Sequence, residues 1–186
     1  MRSLPLVTRF VVTLAASLVL GAASPAMREI DVTHSTATFS VQHIWVENVT
    51  GSVPILQGSV TLPNGALIPQ SAGAVLDAAR IETGEPDRDR SLVSADFFDT
   101  GKFPHWTFAS TKILAKGATA FEMEGNLTMH GQTQPETFDV TISGTPQHPH
   151  YHAVGHIERH AFGMTRTRLD PTIGSTVTVT LDVVLE

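Results

Sequence analysis

Phe121-Glu122-Met123-Glu124-Gly125-Asn126-Leu127-Thr128-Met129-His130 is the stretch that decides the fold. Phe121, Met123, Leu127 and Met129 share one parity, while Glu122, Glu124, Asn126, Thr128 and His130 hold the other, which is the period of a half-buried strand. The same alternation recurs at Phe138, Val140 and Ile142, at Val177, Val179, Leu181 and Val183, and at Ala37, Phe39 and Val41. In each case threonines and other polar or charged residues occupy the intervening positions, so the pattern predicts antiparallel strands with one wet face. Turn chemistry separates them: Asn64-Gly65 is the strongest hairpin signal, with Lys116-Gly117, His130-Gly131 and Gly144 to Pro149 marking other reversals. Only Gly84 to Thr100 breaks the rhythm. There Pro86-Asp87 predicts the start of a short helix carrying Leu92 and Val93, and Asp96 the cap of a turn under Phe97-Phe98, together a lid or plug.

Other residues carry a family likeness. Arg88-Asp89-Arg90-Ser91-Leu92 is followed by Ser94-Ala95-Asp96-Phe97-Phe98-Asp99, by Phe103-Pro104 and by Trp106, Phe108 and Ser110. Asp31, His34-Ser35, Phe39, Val41 and His43 precede them; Gly125 to Thr128, His130 to Thr133, Arg159 and Phe162-Gly163 follow. In this order, over Glu29 to Glu186, the chain resembles the YceI-like family of exported polyisoprenoid-binding proteins. One departure is Ser91, where that family usually carries a histidine. Period-two strands alone leave a sandwich and a barrel open. The resemblance implies an all-β, lipocalin-like antiparallel eight-stranded β-barrel with one short inserted helix, a size that holds one small ligand. It also implies that the ambiguous, alanine-rich Ala72 to Arg80 is a strand running to Ile81.

The first residues read differently. Arg2 and Arg9 flank a start without acidic residues, Phe10 to Ala23 is nearly all apolar, and Ser24-Pro25-Ala26 ends the run, as in a secretory signal peptide. The expected domains are therefore a signal peptide over 1–26 and one binding barrel over 27–186, in the periplasm or secreted, with no stable membrane insertion. There is no cysteine, so no disulfide forms. Removing Arg2 and Arg9 takes the formal net charge from -6 to -8, which argues against nucleic acid as a partner.

No nucleophile elbow, HExxH or glycine-rich phosphate loop is present, and Asp31, His34 and Ser35 do not make a triad by spacing, so a binding protein is expected rather than an enzyme. No cofactor is expected. The expected partner is a long-chain isoprenoid, quinone or related lipid, and a homodimer stays open. The candidate ligand-binding residues are Phe39, Val41, Arg88, Phe97, Phe98, Trp106, Phe108, Phe121, Met123, Leu127, Phe138, Arg159 and Phe162. On a regular strand Arg159 leans to the apolar face, where its charge needs a partner, either Asp89 or a lipid head group. Arg88 and Asp89 either pair to pin the inserted helix or meet that head group. An alternative reading takes the tract His148-Pro149-His150-Tyr151-His152 as a metal site, since alternate strand residues can chelate. Another takes the apolar faces as plain core in a packed barrel that binds a protein partner.

Overall fold

A computed structural model describes residues 24–43, 46–164 and 170–186, so most of the expected signal peptide lies outside the described residues. The alternating segments form ten strands in one antiparallel sheet: β1 (Ala26–Glu29), β2 (Thr36–His43), β3 (Val46–Ser52), β4 (Ile55–Leu62), β5 (Ser71–Asp77), β6 (His105–Ala115), β7 (Ala120–Met129), β8 (Gln132–Gly144), β9 (Pro149–Glu158) and β10 (Ile173–Val184). Among the described residues there is one α-helix, α1 (Pro86–Val93), inserted between β5 and β6.

Ten strands arise from eight passes of the chain, because two passes are broken by local chemistry. On the first, Asp31 Oδ1 accepts hydrogen bonds from the backbone N–H of Thr33 (2.9 Å) and His34 (3.2 Å), a side-chain turn that separates β1 from β2. On the second, Pro54 offers no N–H to a ladder and marks the break between β3 and β4. The first pass pairs with the second through β1–β4 and β2–β3, and with the last through β2–β10 and an Ile30–Leu185 bridge. From β4 to β10 each strand pairs with the next, so the meander curls round and its ends meet. Between β3 and β6 the wall is completed by the segment after β5, which bridges to the sheet at Ser52–Glu82.

Turn residues sit where backbone geometry requires them. His130 and Gly131 both have positive φ (52° and 72°) in the two-residue loop between β7 and β8. β5 stops at Asp77 and does not reach Ile81. The Asp77 carboxylate accepts from the Ala79 N–H at 3.1 Å, and Ala78 N–H is drawn to the Pro104 carbonyl at 2.9 Å, which starts a 3-10 turn over Ala78–Arg80. α1 begins at Pro86 as expected, capped by the Glu85 carboxylate. Asp96 caps nothing: the Ser94 carbonyl holds the following turn, accepting from Phe97 and Asp99.

Two apolar clusters form inside. Ile30, Leu62, Phe121, Ile142, Tyr151 and Leu185 close one end of the barrel, where the Tyr151 hydroxyl donates to the Leu67 carbonyl at 3.0 Å. Leu127, Met129, Ile157, Phe162 and Met164 gather at the other end, with Phe98 and Trp106 against them. Outside, Lys112 pairs with Glu124 (3.0 Å), and Lys116 with Glu122 (2.6 Å) and Asp139 (3.2 Å).

Candidate functional site

Between the two clusters the barrel is hollow. A cavity of about 520 Å³ runs from Ile30 and Tyr151 at the closed end to Trp106, Ile157 and Arg159 at the α1 end. Along β9 alone, Tyr151 to Ile157 corresponds to about 20 Å of strand. Its walls are the inward parity of the strands, so they are almost wholly aliphatic and aromatic.

Twelve of the thirteen candidate residues line this cavity. Phe39 and Val41 come from β2, Trp106 and Phe108 from β6, Phe121, Met123 and Leu127 from β7, and Phe138 from β8. Arg88 reaches it from α1, Phe97 and Phe98 from the turn that follows, and Arg159 from the end of β9. Phe162 does not. It is fully buried in a 3-10 turn over Arg159–Phe162, where the chain has left the β9 ladder, and packs into the cluster behind the cavity wall.

Three rings of the cavity wall lie against glycines. A Cβ on Gly51 would stand 2.5 Å from the Phe39 ring, one on Gly125 2.2 Å from Phe108, and one on Gly155 2.7 Å from Phe138. Each phenylalanine thus takes the space of a missing neighbouring side chain instead of standing across the lumen. Phe108 and Phe138 also meet edge to face, with centroids 5.4 Å apart.

The two arginines are engaged by the protein itself. Arg159 is 5% exposed; its guanidinium donates to the carbonyls of Met164 (2.6 Å), Ile173 (2.9 Å) and Gly174 (2.9 Å). Asp89 is not its partner. That carboxylate accepts from the Thr83 N–H at 2.9 Å and from the Thr83 hydroxyl, while Arg88 gives Nε to the same hydroxyl (2.8 Å) and Nη2 to the Thr83 carbonyl (3.0 Å). Thr83, not an Arg88–Asp89 pair, therefore pins α1. Ser91, the departure from the family pattern, lines the cavity and donates to the Asp87 carbonyl at 2.9 Å.

Among the described residues, two polar atoms in the cavity wall are buried with no hydrogen-bond partner: Trp106 Nε1 and His43 Nδ1. The second ring nitrogen of His43 lies 3.3 Å from the Thr172 hydroxyl. The sequence marked His43 only as part of the family likeness, since a lone histidine on a strand gives no ligand signal. It also passed over Leu92 on the inserted helix, Tyr151, and the Val177 to Val183 parity as cavity wall, although the alternation of the last was legible.

The histidine tract faces outward. His152 Nδ1 lies 2.8 Å and His150 Nε2 3.6 Å from one oxygen of Asp182, which pairs opposite His152 across β9 and β10. Among the described residues no group of three or more His, Cys, Asp or Glu is placed to hold a metal ion. Asp31 and His34 do pair, at 2.7 Å, and the Thr33 hydroxyl foremost, with His34, holds the Asp31 carboxyl down at about 2. Ser35 takes no part, since its hydroxyl bonds Val184 of β10 on both the N–H (3.0 Å) and carbonyl (3.3 Å) sides. Among the described residues no helix is long and apolar enough to cross a membrane.

Residues 29–185 match the model of the YceI-like domain. A UPF0312 protein of Vibrio vulnificus is 30% identical over 116 residues, and this match spans 61% of that protein and 62% of this chain. A UPF0312 protein of Yersinia enterocolitica is 30% identical over 144 residues, covering 74% of each. Among solved structures, Burkholderia cenocepacia BcnA superposes with a TM-score of 0.69 at 19% identity, over 83% of this chain and 98% of its own. A polyisoprenoid binding domain from Saccharophagus degradans, implicated in plant cell wall breakdown, gives 0.65 at 16% identity, over 88% and 99%. At these identities the structural likeness establishes the fold.

Proposed function

Because the chain belongs to the YceI-like domain family, with a lipocalin-like barrel, we propose that it is a carrier whose cavity encloses the tail of a long-chain amphiphilic lipid of the isoprenoid or quinone class. The observation that carries this reading is the continuous apolar cavity of about 520 Å³ along the barrel, within the ~300–1,000 Å³ of ligand pockets. A packed barrel would have filled it. Each methylene moved from water into such a wall contributes about 0.8 kcal/mol, so a tail binds tightly with few polar contacts. The Saccharophagus degradans domain, described as polyisoprenoid binding, supports the same ligand class.

The activity is binding rather than catalysis: the Asp31–His34 pair lies on a turn, with Ser35 committed to the backbone. The apolar run ending at Ala26 supports export to the periplasm or medium before the barrel takes up its lipid. Purification without detergent, native mass spectrometry and organic extraction test the proposal. A stoichiometric long-chain lipid is expected. A protein that is empty and takes up no isoprenoid would overturn it.

A further inference from the structure

The wall of the cavity is not equally fixed all round. Among the described residues, every hydrogen bond made between Thr83 and Thr100 stays within residues 83–103, and none reaches a strand. Thr83 holds Arg88 and Asp89, the Ser94 carbonyl holds Phe97 and Asp99, and the Val93 carbonyl holds Thr100. No residue of α1 is fully buried. Leu92, Phe97 and Phe98 face the lumen rather than a packed core, and the tie to β6 is one ring contact, Phe98 on Trp106 at 4.7 Å between centroids. A stretch bonded to itself and lightly packed on its surroundings is the kind that opens as a unit.

Its two roots are well marked. Ile81 is buried, and Thr83 is bonded to α1, so the chain between them pivots at Glu82. Glu82 is joined to β3 by an isolated bridge of two bonds: its carbonyl accepts from the Ser52 N–H at 2.8 Å, and its own N–H donates to the Ser52 carbonyl at 3.0 Å. At the other root Gly101 is exposed, with nothing within 4 Å of where a Cβ would stand. The chain is fixed again at Phe103, whose ring packs on Gly131 and lies 5.4 Å from the His130 ring. Beside the Glu82 bridge the wall is thin. Gly51 has no side chain, and the Phe39 ring in its place stands between the lumen and an outer hollow lined by Thr50, Ser52, Glu82 and Thr83.

Resting on the carrier reading above, we propose that residues 83–100 form a lid that swings as one piece about Glu82 and Gly101, and that parting of the Ser52–Glu82 bridge opens the barrel sideways. A long tail then enters through the slot between β3 and β6 instead of threading from one end. The test is a lock on the bridge. Reciprocally bonded antiparallel partners stand about 5.5 Å apart at Cα, within disulfide range, and the chain has no cysteine of its own, so Ser52→Cys with Glu82→Cys forms one defined cross-link. Protein loaded with geranylgeraniol is mixed with excess phosphatidylcholine vesicles, and the lipid left on the protein is followed by mass spectrometry. The oxidised double variant is expected to release roughly tenfold more slowly than the same protein after reduction. Glu82→Pro, which removes one bridge bond and needs no disulfide, is expected to release about fivefold faster than unmodified protein. In unmodified protein the amides of Asp89, Phe98, Asp99 and Thr100 are expected to exchange with one common opening free energy, below that of the strands, and to slow on loading. Equal release in oxidised and reduced protein, no acceleration in Glu82→Pro, or lid amides that exchange only with the strands would overturn the lid and leave the carrier intact. Failure of unmodified protein to take up geranylgeraniol would remove the carrier reading, and the lid then stands or falls on the amide exchange.

Discussion

Gly125→Ala tests whether the cavity is kept open by rings resting on bare backbone. The new methyl would stand 2.2 Å from Phe108 Cζ, 2.5 Å from Cε2 and 2.7 Å from the Ala109 carbonyl oxygen. Carbon contacts settle at about 3.5–4.0 Å, so the ring must retreat by roughly 1.5 Å. The Ala109 carbonyl belongs to β6, beside β7 in the sheet, and cannot follow; Phe138 meets the ring edge-on, so the retreat is into the lumen. Overpacking costs about 1–3 kcal/mol, against about 0.4–1 kcal/mol gained from the stiffer unfolded chain. The expected net is a loss of about 1–2 kcal/mol, which is roughly 2–8 °C in Tm for a domain of this size. Retained lipid should shift to shorter chains, and adding Phe108→Ala should restore the length preference. Melting and mass spectrometry of extracted lipid are read side by side. A Gly125→Ala protein with wild-type melting and wild-type lipid would show that Phe108 does not rest on Gly125 and that the ring does not set the lumen.

Arg159→Met should cost about 3–5 kcal/mol in urea unfolding, because it strips a buried charge from the carbonyls of Met164, Ile173 and Gly174; a loss under ~1 kcal/mol would mean that water already serves those carbonyls. Tyr151→Phe should cost about 1 kcal/mol by leaving the Leu67 carbonyl without its donor, and burial, which pushes the Tyr151 hydroxyl up to about 12, should keep it neutral in absorbance titrations well past pH 10. Asp31, held at about 2, contributes stability that is present above its unfolded value near ~3.9 and is lost as pH falls through about 2; Thr33→Val should raise its midpoint, and a wild-type carboxyl titrating near ~4 by NMR would refute the turn. Exported protein should begin at Met27 by N-terminal sequencing, and mature protein still carrying Phe10 to Leu20 would end the signal-peptide proposal.

Where a residue's role depends on its parity along one strand, the sequence was enough. Phe121, Met123, Leu127 and Phe138 face inward because period-two alternation leaves no other way to bury them, and Gly65, His130 and Gly131 turn the chain at positive φ, which few other residues accept. Family likeness added the barrel, which periodicity could not distinguish from a sandwich. Local hydrogen bonding overrode both at Asp77, where the carboxylate of the strand's last residue captured the Ala79 N–H and stopped β5 short of Ile81.

Phe162 and Arg159 show the limit of that logic. Counting parity onward from Ile157 placed Arg159 on the inner face, and family likeness placed Phe162 in the site, but after Glu158 the chain leaves the ladder for a 3-10 turn, which hides Phe162 behind the wall and turns Arg159 toward carbonyls up to 15 residues away. Thr83, Gly51 and Gly155 carried no signal, since the threonine is defined by an arginine and a carboxylate on the helix that follows it and each glycine by a ring on the neighbouring strand. The alternation of its residues by itself determined that this chain makes antiparallel strands with one buried face, because side-chain direction along a strand is a local property. Only the tertiary structure decided that those faces enclose a cavity rather than fill a core, and that Trp106 and His43 are left unpaired inside it, because both depend on which atoms from distant passes arrive at the same place.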